Sequence, residues 1–446
     1  MRTQTIIDNK DFPGLLHLDL GDLTVPSQLP LVDYHQAAWK LAQTLPFPSK
    51  KDDSWRRTDL SGLVFEQLKP AGSASGKVAS RVKRSYDAVN STGEFSGRLL
   101  VAGSQVYQQV NPEVESRGVI FTDFRTAETQ YPGLVSSLVG RVIPPSDGKF
   151  AAMASALGRG GVFIYIPHNT SLEAPFFVQL AAGASGSASF THTILWLEDG
   201  AACQVVLEFI TKGTNEGEPS LHTGLVEIHL GEHASLHLFE SQEFGTQIWN
   251  ITHERAQLQR DAHLEWICGS LGAHFSKNFL NTDLLAPGAE AQVNGFYFTD
   301  ADQRLDLDTQ QNHLAPQTTS NLLFKGAVAG KSKAVWEGMI YVAPNALKTD
   351  GYQSNRNLIL SDEAEISAIP GLEILADDVR CSHGASVGRV DDEELFYLQS
   401  RGIPLAEAEQ LIVEGFFAGV VEKVQIPSLQ ESLKKKIRQK LTKSAN

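Results

Sequence analysis

Apolar positions recur with a helical period near the start of the chain. From about Pro30 to Leu45 they follow one face of a helix, and Pro46 and Pro48 end the run. The small-residue stretch from Pro70 to Gly76 then has the composition of a flexible connector. These patterns predict an N-terminal helical arm and linker over residues 1–96.

Short strands separated by Gly, Asp, Asn and Pro turns dominate from about Gly97 to Gly384, with almost no helical pattern between them. A weak repeat combines a polar turn, a small residue and alternating apolar positions. Its first four alanines are Ala201, Ala234, Ala262 and Ala289, which lie 33, 28 and 27 residues apart, and Ala334 and Ala364 lie 30 apart. Such periods are typical of solenoid coils, which bury their apolar faces by stacking on neighbouring coils.

The repeat therefore predicts a mainly β fold with a right-handed parallel β-helix core over residues 97–388. Helical regions at the N- and C-terminal ends are expected to flank this core. Two consecutive β-sandwiches are the alternative architecture, because the strand-rich region is too long for one ordinary sandwich.

A helical pattern returns in a C-terminal region covering residues 389–446. Asp391 and Asp392 are N-cap candidates for a short helix that Gly402 ends, and Pro404 begins a second helix. The second helix carries a dense apolar stripe of Leu411, Ile412, Phe416 and Phe417. Because short terminal helices need a surface on which to bury such residues, the stripe is a candidate docking site.

A third terminal helix is predicted from the stripe Leu429, Leu433, Ile437 and Leu441. Its polar face collects the basic residues Lys434, Lys435, Lys436, Arg438, Lys440 and Lys443. A charge run of this kind is usually a solvated face, and docking of a partner is the sharper alternative.

Composition narrows the function classes. The 446 residues carry a net charge of -14, which argues against a nucleic-acid-binding surface. The three cysteines are widely separated, which argues against a disulfide framework, and no basic-then-apolar leader opens the sequence. A reducing, cytoplasmic location is expected. No apolar run approaches the ~20 residues that a membrane helix needs.

The candidate chemistry lies in the segment from Arg380 to Gly384, which holds Cys381 and His383. In an extended segment these two side chains point to the same face, with α-carbons about 6.6 Å apart, so both could bind one iron or zinc ion. Two ligands do not close a tetrahedral site. The remaining ligands would come from distant loops or from another subunit. Arg380 or a bound metal would favour the thiolate form of Cys381.

A structural interpretation competes with this half-site. A free cysteine is usually a small buried hydrophobe, and a lone histidine is usually a core or surface residue. His229, His233 and His237 also resemble a metal cluster by number, but a turn at Gly231 places His229 on a different strand from the other two. Surface strand histidines are the preferred interpretation of that group.

Several segments together resemble the SufB/SufD family of iron-sulfur cluster assembly proteins. They are residues 355–361, 368–374, 380–385, 395–403 and 408–416; further matches at 313–320 and 336–338 extend the resemblance through the core, and a match at 55–60 extends it to the N-terminal arm. The SufB branch typically follows its histidine with Glu-Ala-Thr/Ser-Thr-Ser, whereas Gly384 follows His383 here, and the chain is shorter than usual for SufB. Both features resemble the SufD branch; a SufB-like subunit and a purely structural solenoid are the alternatives.

The resemblance implies a non-catalytic scaffold subunit that works in a complex with SufB and the ATPase SufC. In that complex Cys381 and His383 would hold iron or a nascent cluster at an interface shared with SufB. The C-terminal helices would dock SufC. The last coils, near residues 355–385, are expected to meet SufB, or a second copy of this chain when SufB is absent.

Overall fold

The computed structural model describes residues 31–63, 68–70, 95–183, 185–211 and 217–444, so most of the connector predicted at 70–76 lies outside the described residues. Eight α-helices, two short 3₁₀ turns and twenty strands lie within these ranges. The α-helices are α1 Val32–Thr44, α2 Pro112–Ser116, α3 Phe124–Gln130, α4 Pro132–Leu138, α5 Lys149–Leu157, α6 Asp392–Ser400, α7 Leu405–Val421 and α8 Pro427–Ser444. Two short 3₁₀ turns cover Asp53–Trp55 and Pro145–Asp147.

The strands follow in chain order. The first ten are β1 Lys69–Pro70, β2 Gly97–Ala102, β3 Gln105–Val110, β4 Ile120–Asp123, β5 Val162–Ile166, β6 Phe176–Ala181, β7 Ser187–Leu197, β8 Ala202–Ile210, β9 Ser220–Leu230 and β10 Ser235–Glu243. The next ten are β11 Ile248–Leu258, β12 His263–Ser270, β13 Phe275–Leu284, β14 Glu290–Thr299, β15 Arg304–His313, β16 Thr319–Val328, β17 Lys333–Val342, β18 Asp350–Ile359, β19 Glu365–Ile374 and β20 Arg380–Arg389.

The core is a parallel β-solenoid of about eight turns with helices at the termini, which confirms the predicted fold class. From β5 onward, odd-numbered strands stack in one sheet and even-numbered strands in the other. Each turn therefore contributes one strand to each sheet. Side chains that point inward from the two sheets form a continuous apolar interior along the solenoid axis.

The repeat predicted from alanine spacing is present in sheet register. Ala201, Ala234, Ala262 and Ala289 each lie just before an even-numbered strand and are almost fully buried. These alanines form a column of equivalent positions in neighbouring coils. The next two positions of the column are occupied by Thr318 and Thr349, and not by Ala334 and Ala364. Each threonine hydroxyl donates to the carbonyl three residues earlier, at 3.2 and 2.8 Å, so a small polar side chain replaces alanine.

Helices interrupt the region where the sequence analysis expects almost none. Between Pro112 and Leu157 the chain forms α2 to α5 and one 3₁₀ turn. The Asn111 side chain caps α2, and the Asp123 side chain caps α3. Every residue of α5 is buried, because α5 lies between α1 and the solenoid. These helices are too short for a periodic pattern to stand out.

Helices cover the outer faces of both sheets. The N-terminal arm and α5 pack on the odd-numbered strands, where Trp39, Phe150 and Trp249 share one apolar cluster. On the opposite face, α7 and α8 pack against the even-numbered strands through a cluster that includes Phe296 and Phe417. The molecule is thus layered as helix, sheet, sheet, helix.

Salt bridges fasten α8 to the sheet that it covers. Lys436 pairs with Glu243, and Lys440 pairs with Asp300 at 2.7 Å. The Lys440 ammonium also donates to the carbonyl of Leu271 at 2.7 Å. These two members of the predicted basic face are therefore neither solvated nor free for a partner, because they bind acidic strand ends of the same chain.

Two carboxyl groups face each other inside the solenoid, Glu240 on β10 and Glu254 on β11. Burial, together with the charge of Glu254, raises the pKa of Glu240 well above its ordinary value. Burial raises the pKa of Glu254 to about 7. Trp266 and Cys268 lie beside the pair, and the causes of these shifts include no cation. The fold therefore tolerates these acids as neutral groups.

We predict that this pair makes the free energy of unfolding fall as the pH rises. The folded-state pKa of Glu254 lies above the unfolded value of about 4.3, so its contribution is full below about pH 4.3 and is lost by about pH 7. The loss should be on the order of 3 kcal/mol. Urea unfolding of the wild type and of Glu254→Gln from pH 5 to pH 8 measures it.

The Gln variant should lose this part of the pH dependence, while the exposed control Glu232→Gln should retain it. An identical pH profile for wild type and Glu254→Gln would contradict the assignment.

Candidate functional site at the open end of the solenoid

The last coil, formed by β19 and β20, ends both sheets. Among the described residues β19 pairs only with β17, and β20 pairs only with β18. Inward-facing side chains of this coil are not covered by a further coil among the described residues. Ile340 and Val342 are fully buried, whereas their register partners on β19, Leu372 and Ile374, are 36% and 38% exposed. The coil therefore presents apolar interior positions and two strand edges to the outside.

The opposite end of the solenoid is closed. There β3 runs antiparallel to β2, and β4 runs antiparallel to β5, so each sheet ends on a reversed strand. Residues of α3 and α4 pack beside these strands in one buried cluster with Phe163 and Trp196. The two ends consequently differ, and only the end formed by β19 and β20 lacks such a cap within the described residues.

Cys381 and His383 lie on β20 at this open end. In sheet register Cys381 stands opposite Gly351, and His383 stands opposite Gln353. The Cys381 side chain is half-buried against a cluster formed by Ile340 and its neighbours, while His383 is exposed. Because side chains alternate along a strand, both residues lie on the inward-facing side. The two side chains named in the sequence analysis thus share one face at the end of the solenoid.

A third side chain, His313 at the end of β15, borders the same space as Cys381. A Cβ atom at Gly351 would stand 3.3 Å from both Cys381 Sγ and His313 Nε2, so the glycine leaves the space that they border. His313 bonds to the hydroxyl groups of Thr318 at 2.7 Å and Ser320 at 2.8 Å. Burial lowers the pKa of His313 to about 4, so its imidazole is neutral near pH 7.

The sequence analysis did not identify His313 as a site residue. The segment beginning at His313 contributes there only to the family resemblance, because His313 and Cys381 lie in different sheets and far apart in the chain. The signal that connects them is the sheet register through Ser320 and Gly351. That register becomes readable only once the coils are aligned.

The environment of Cys381 favours its thiol form. Burial is the largest cause that raises the pKa of Cys381, and the Asp350 carboxylate adds to it, while a hydrogen bond with the Gly351 backbone opposes it. Arg380 does not favour the thiolate as expected from the sequence, because its guanidinium pairs with Asp350 at 2.6 Å. A bound metal would oppose this effect of burial, because it stabilises the thiolate.

The other cysteines and the numbered histidine group do not join this site. Cys203 and Cys268 lie in the solenoid interior, and burial raises the pKa of Cys203 to about 12. His229 stacks on Trp196, His233 lies in a turn with positive φ, and His237 pairs with Glu265. Within the described ranges, no three His, Cys, Asp or Glu side chains are grouped so as to hold a metal ion.

The structure separates the four candidate docking residues on α7. Leu411 is 44% exposed, Ile412 and Phe416 are half-buried, and Phe417 is completely buried. Phe417 packs on Phe298, with ring centroids 6.3 Å apart. Only the outward-facing members can touch a partner directly, and Phe417 fixes the helix on the sheet.

Two aromatic residues of α6, the helix that precedes α7, are also exposed. Phe396 is 72% exposed and Tyr397 is 58% exposed. None of the residues of α6 is buried, and its first turn carries Asp392, Glu393 and Glu394. We call Phe396, Tyr397, Leu405 and Leu411 the terminal apolar patch; all four are exposed.

Family models match nearly the whole described chain. The model for the SUF system FeS cluster assembly SufBD core domain matches residues 179–416, and the model for the SufBD protein N-terminal region matches residues 21–180. The chain belongs to the SufBD family of iron-sulfur cluster assembly proteins. The core model includes both Cys381 and His383.

Curated relatives agree with this family. Iron-sulfur cluster assembly SufBD family proteins of Staphylococcus epidermidis, Staphylococcus haemolyticus and Staphylococcus aureus are each 29% identical to the chain over 401 residues. These alignments cover 86% of this chain and 84% of each relative. No helix among the described residues has the length and apolar character needed to cross a membrane.

We predict that the native protein reacts with iodoacetamide at Cys381 alone. Cys203 is buried, and Cys268 is a half-buried residue whose thiol pKa is raised well above its ordinary value by burial and by the charges of Glu240 and Glu254. Cys381 should react slowly at pH 7 and faster as the pH rises, because only the thiolate attacks. Intact-mass measurement and peptide mapping after a timed reaction give the number and the position of labels.

Asp350→Asn should accelerate labelling of Cys381 by less than about tenfold, since burial remains the larger cause of the raised pKa. The matched control is Asp362→Asn, which removes the carboxylate that pairs with Arg389 on the same strand. Labelling of Cys203 or Cys268 at the rate of Cys381 would contradict the described interior.

Proposed function

We propose that this chain is a SufD-like, non-catalytic subunit of a cytoplasmic SufB-SufC-SufD scaffold for iron-sulfur cluster assembly. The single observation that carries the proposal is the uncapped last coil, which places Cys381 and His383 where inward-facing positions are open to a partner. Iron or a nascent cluster is proposed to bind at this end of the solenoid. ATP hydrolysis is assigned to SufC.

The partner at the last coil is proposed to be the equivalent coil of SufB. Free edges on β19 and β20 can accept further strands, and Leu372 and Ile374 supply apolar area that a stacked coil would bury. A second copy of this chain offers the same edges when SufB is absent. In either assembly, Cys381 and His383 fall inside the interface.

The two site residues have different proposed roles. His383 is exposed and can present a ring nitrogen to iron, and it sits two residues from the thiol on one face. Cys381 is half-buried with a raised thiol pKa, so it would bind after giving up its proton to the incoming metal. SufB would supply the remaining ligands, including a cysteine.

SufC is proposed to bind the terminal apolar patch on the C-terminal helical region, which the sequence analysis places at residues 389–446. Exposed aromatic area beside an acidic first turn fits a partner surface that combines apolar and basic side chains. The division into a 1–96 arm, a 97–388 core and this region is part of the same proposal.

Replacing His383 with Ala should leave the three-protein complex assembled and should reduce bound iron and sulfide severely, because alanine offers no metal donor. Cys381→Ala should act in the same direction with a milder effect. Cys203→Ala and Cys268→Ala are matched controls that remove thiols packed against the solenoid interior, and they should preserve cluster content. Anaerobic co-purification with SufB and SufC, followed by iron, sulfide and subunit analysis, measures all four.

Normal iron and sulfide in the His383 variant, with intact subunit stoichiometry, would show that the chemistry resides on SufB alone. A SufB-like role for this chain would instead predict cluster formation with SufC in the absence of added SufB. A purely structural solenoid would tolerate loss of both Cys381 and His383.

Leu411→Asp should weaken SufC binding by at least about tenfold, because it places a charge in the proposed apolar contact, while stability should change little. Phe417→Ala should instead lower the free energy of unfolding by about 3–5 kcal/mol, because it opens a cavity under α7. Val106→Asp, at another exposed apolar position, is the matched control. Titration calorimetry with SufC and urea unfolding separate the two effects.

If Leu411→Asp binds SufC as tightly as the wild type does, SufC does not dock on the terminal apolar patch.

A further inference from the structure

The last coil and the start of α6 carry much of the negative charge of this chain. Residues 361–394 contain ten acidic and two basic residues, which gives a net charge of -8 in a chain whose total is -14. All ten acidic residues are exposed. The open end of the solenoid, which the scaffold proposal assigns to a partner, is therefore strongly acidic.

Six of these acids have no basic partner among the described residues. Three of the other four pair with Arg or Lys side chains and the fourth caps α6; in chain order these four are Asp362, Glu363, Glu365 and Asp391. Arg380 does not compensate the remaining acids, because it pairs with Asp350 at 2.6 Å. We call the six acids without an ion pair the acidic rim; they are Glu373, Asp377, Asp378, Asp392, Glu393 and Glu394.

The acidic rim lies at both ends of β20. One group of three, Glu373, Asp377 and Asp378, lies in or beside the turn that leads from β19 into β20. The other group belongs to the first turn of α6, which begins after two residues that follow β20. Because β20 has ten residues, its two ends are about 30 Å apart. The two groups thus flank the last coil on opposite sides.

The last coil itself is apolar where it would meet a partner. Leu372 and Ile374 on β19 are 36% and 38% exposed, and Val387 on β20 is 46% exposed. All three occupy inward-facing positions that no further coil covers among the described residues. An apolar centre with a charged rim is the usual composition of an interface between two proteins.

A second copy of this chain would meet the acidic rim with the same charge. A two-fold dimer brings one surface patch against its own copy. Because both groups of the rim are acidic, acid faces acid whether a group meets its own copy or the other group. The strand edges and the apolar centre favour self-association, and the charge opposes it. The same charge favours a coil that carries basic side chains on both sides.

We propose that the acidic rim makes the last coil selective for a partner solenoid end with basic side chains on both sides of an apolar centre, and that it disfavours a second copy of this chain at low salt. This inference rests on the proposed function, because it names the chemistry of the partner that the last coil receives. Specificity of this kind combines attraction to one partner with repulsion of another. Since the rim is exposed, salt should weaken both effects.

A charge-reversed form of the full-length chain serves as the basic probe. This Lys form carries six substitutions in the acidic rim: Glu373→Lys, Asp377→Lys, Asp378→Lys, Asp392→Lys, Glu393→Lys and Glu394→Lys. Lysine suits position 378, where φ is 42°, because Lys348 has a φ of 58° in the turn one coil earlier.

At low salt, the wild type should bind the Lys form at least about tenfold more tightly than either form binds itself, because only the mixed pair brings acids against lysines. Raising the salt to about 0.5 M NaCl should remove most of this preference. Sedimentation velocity with one form fluorescently labelled gives the three dissociation constants.

Two further variants locate the contact. The matched control has the same net charge as the Lys form and reverses six exposed acids away from the last coil: Asp33→Lys, Glu113→Lys, Glu115→Lys, Glu173→Lys, Glu218→Lys and Glu232→Lys. It should bind the wild type no more tightly than the wild type binds itself. Leu372→Asn in the wild type should weaken the mixed pair severalfold, because it places a polar group in the apolar centre. Circular dichroism and thermal unfolding verify that each form is folded.

Self-association of the wild type at low salt that is as tight as the mixed pair would overturn this inference. Equal binding of the wild type by the control form would show that net charge alone drives association, and it would overturn the inference as well. Absence of a mixed pair between folded forms would have the same consequence. The test uses no SufB, so it can fail while SufB still binds the last coil; failure of SufB to co-purify with the wild type would count against the scaffold proposal instead.

Discussion

Stacking of parallel strands in strict register is the interaction on which the rest of this structure depends. Each coil buries its inward-facing side chains only because the next coil covers them. Ile340 and Val342 are fully buried with β19 beside them, and Leu372 and Ile374 on β19 are partly exposed because no further coil covers them among the described residues. The same residue types at equivalent positions thus change from core to surface with one step along the axis.

The sequence predicts the solenoid because its repeat is local. Ala201, Ala234, Ala262 and Ala289 fill equivalent turns, and their spacing is visible without any alignment. Later in the chain the alanine spacing predicts the wrong residues, because Thr318 and Thr349 occupy the equivalent turn positions and Ala334 does not. Steric size and a local hydrogen bond define that column, and alanine is only one way to satisfy both.

Burial of the terminal helices could not be predicted in the same way. Leu411 and Phe417 belong to one apolar run in the sequence, yet one faces outward and the other lies against Phe298. A run that is apolar on most sides of a helix does not reveal which side meets the sheet. The cations Lys436 and Lys440 are equally ambiguous in sequence, because their acidic partners lie more than a hundred residues earlier in the chain.

The candidate site shows the same division between local and distant information. Strand alternation places Cys381 and His383 on one face, and that prediction needs only two residues of sequence. The expected influence of Arg380 on the thiol is wrong because Asp350, one coil earlier, binds its guanidinium. His313 and Cys381 border the same space that Gly351 leaves in the interior, and no local pattern contains that relation.

Closure elsewhere in the molecule is the reason why we propose the last coil as the partner interface. Helices cover both outer faces, and antiparallel strands end the sheets at the first coil. Among the described residues, a partner that extends the sheets can therefore add its strands at the end formed by β19 and β20. Any reactive group that must be shared with that partner has to lie on β19 or β20, and Cys381 and His383 satisfy this geometric requirement.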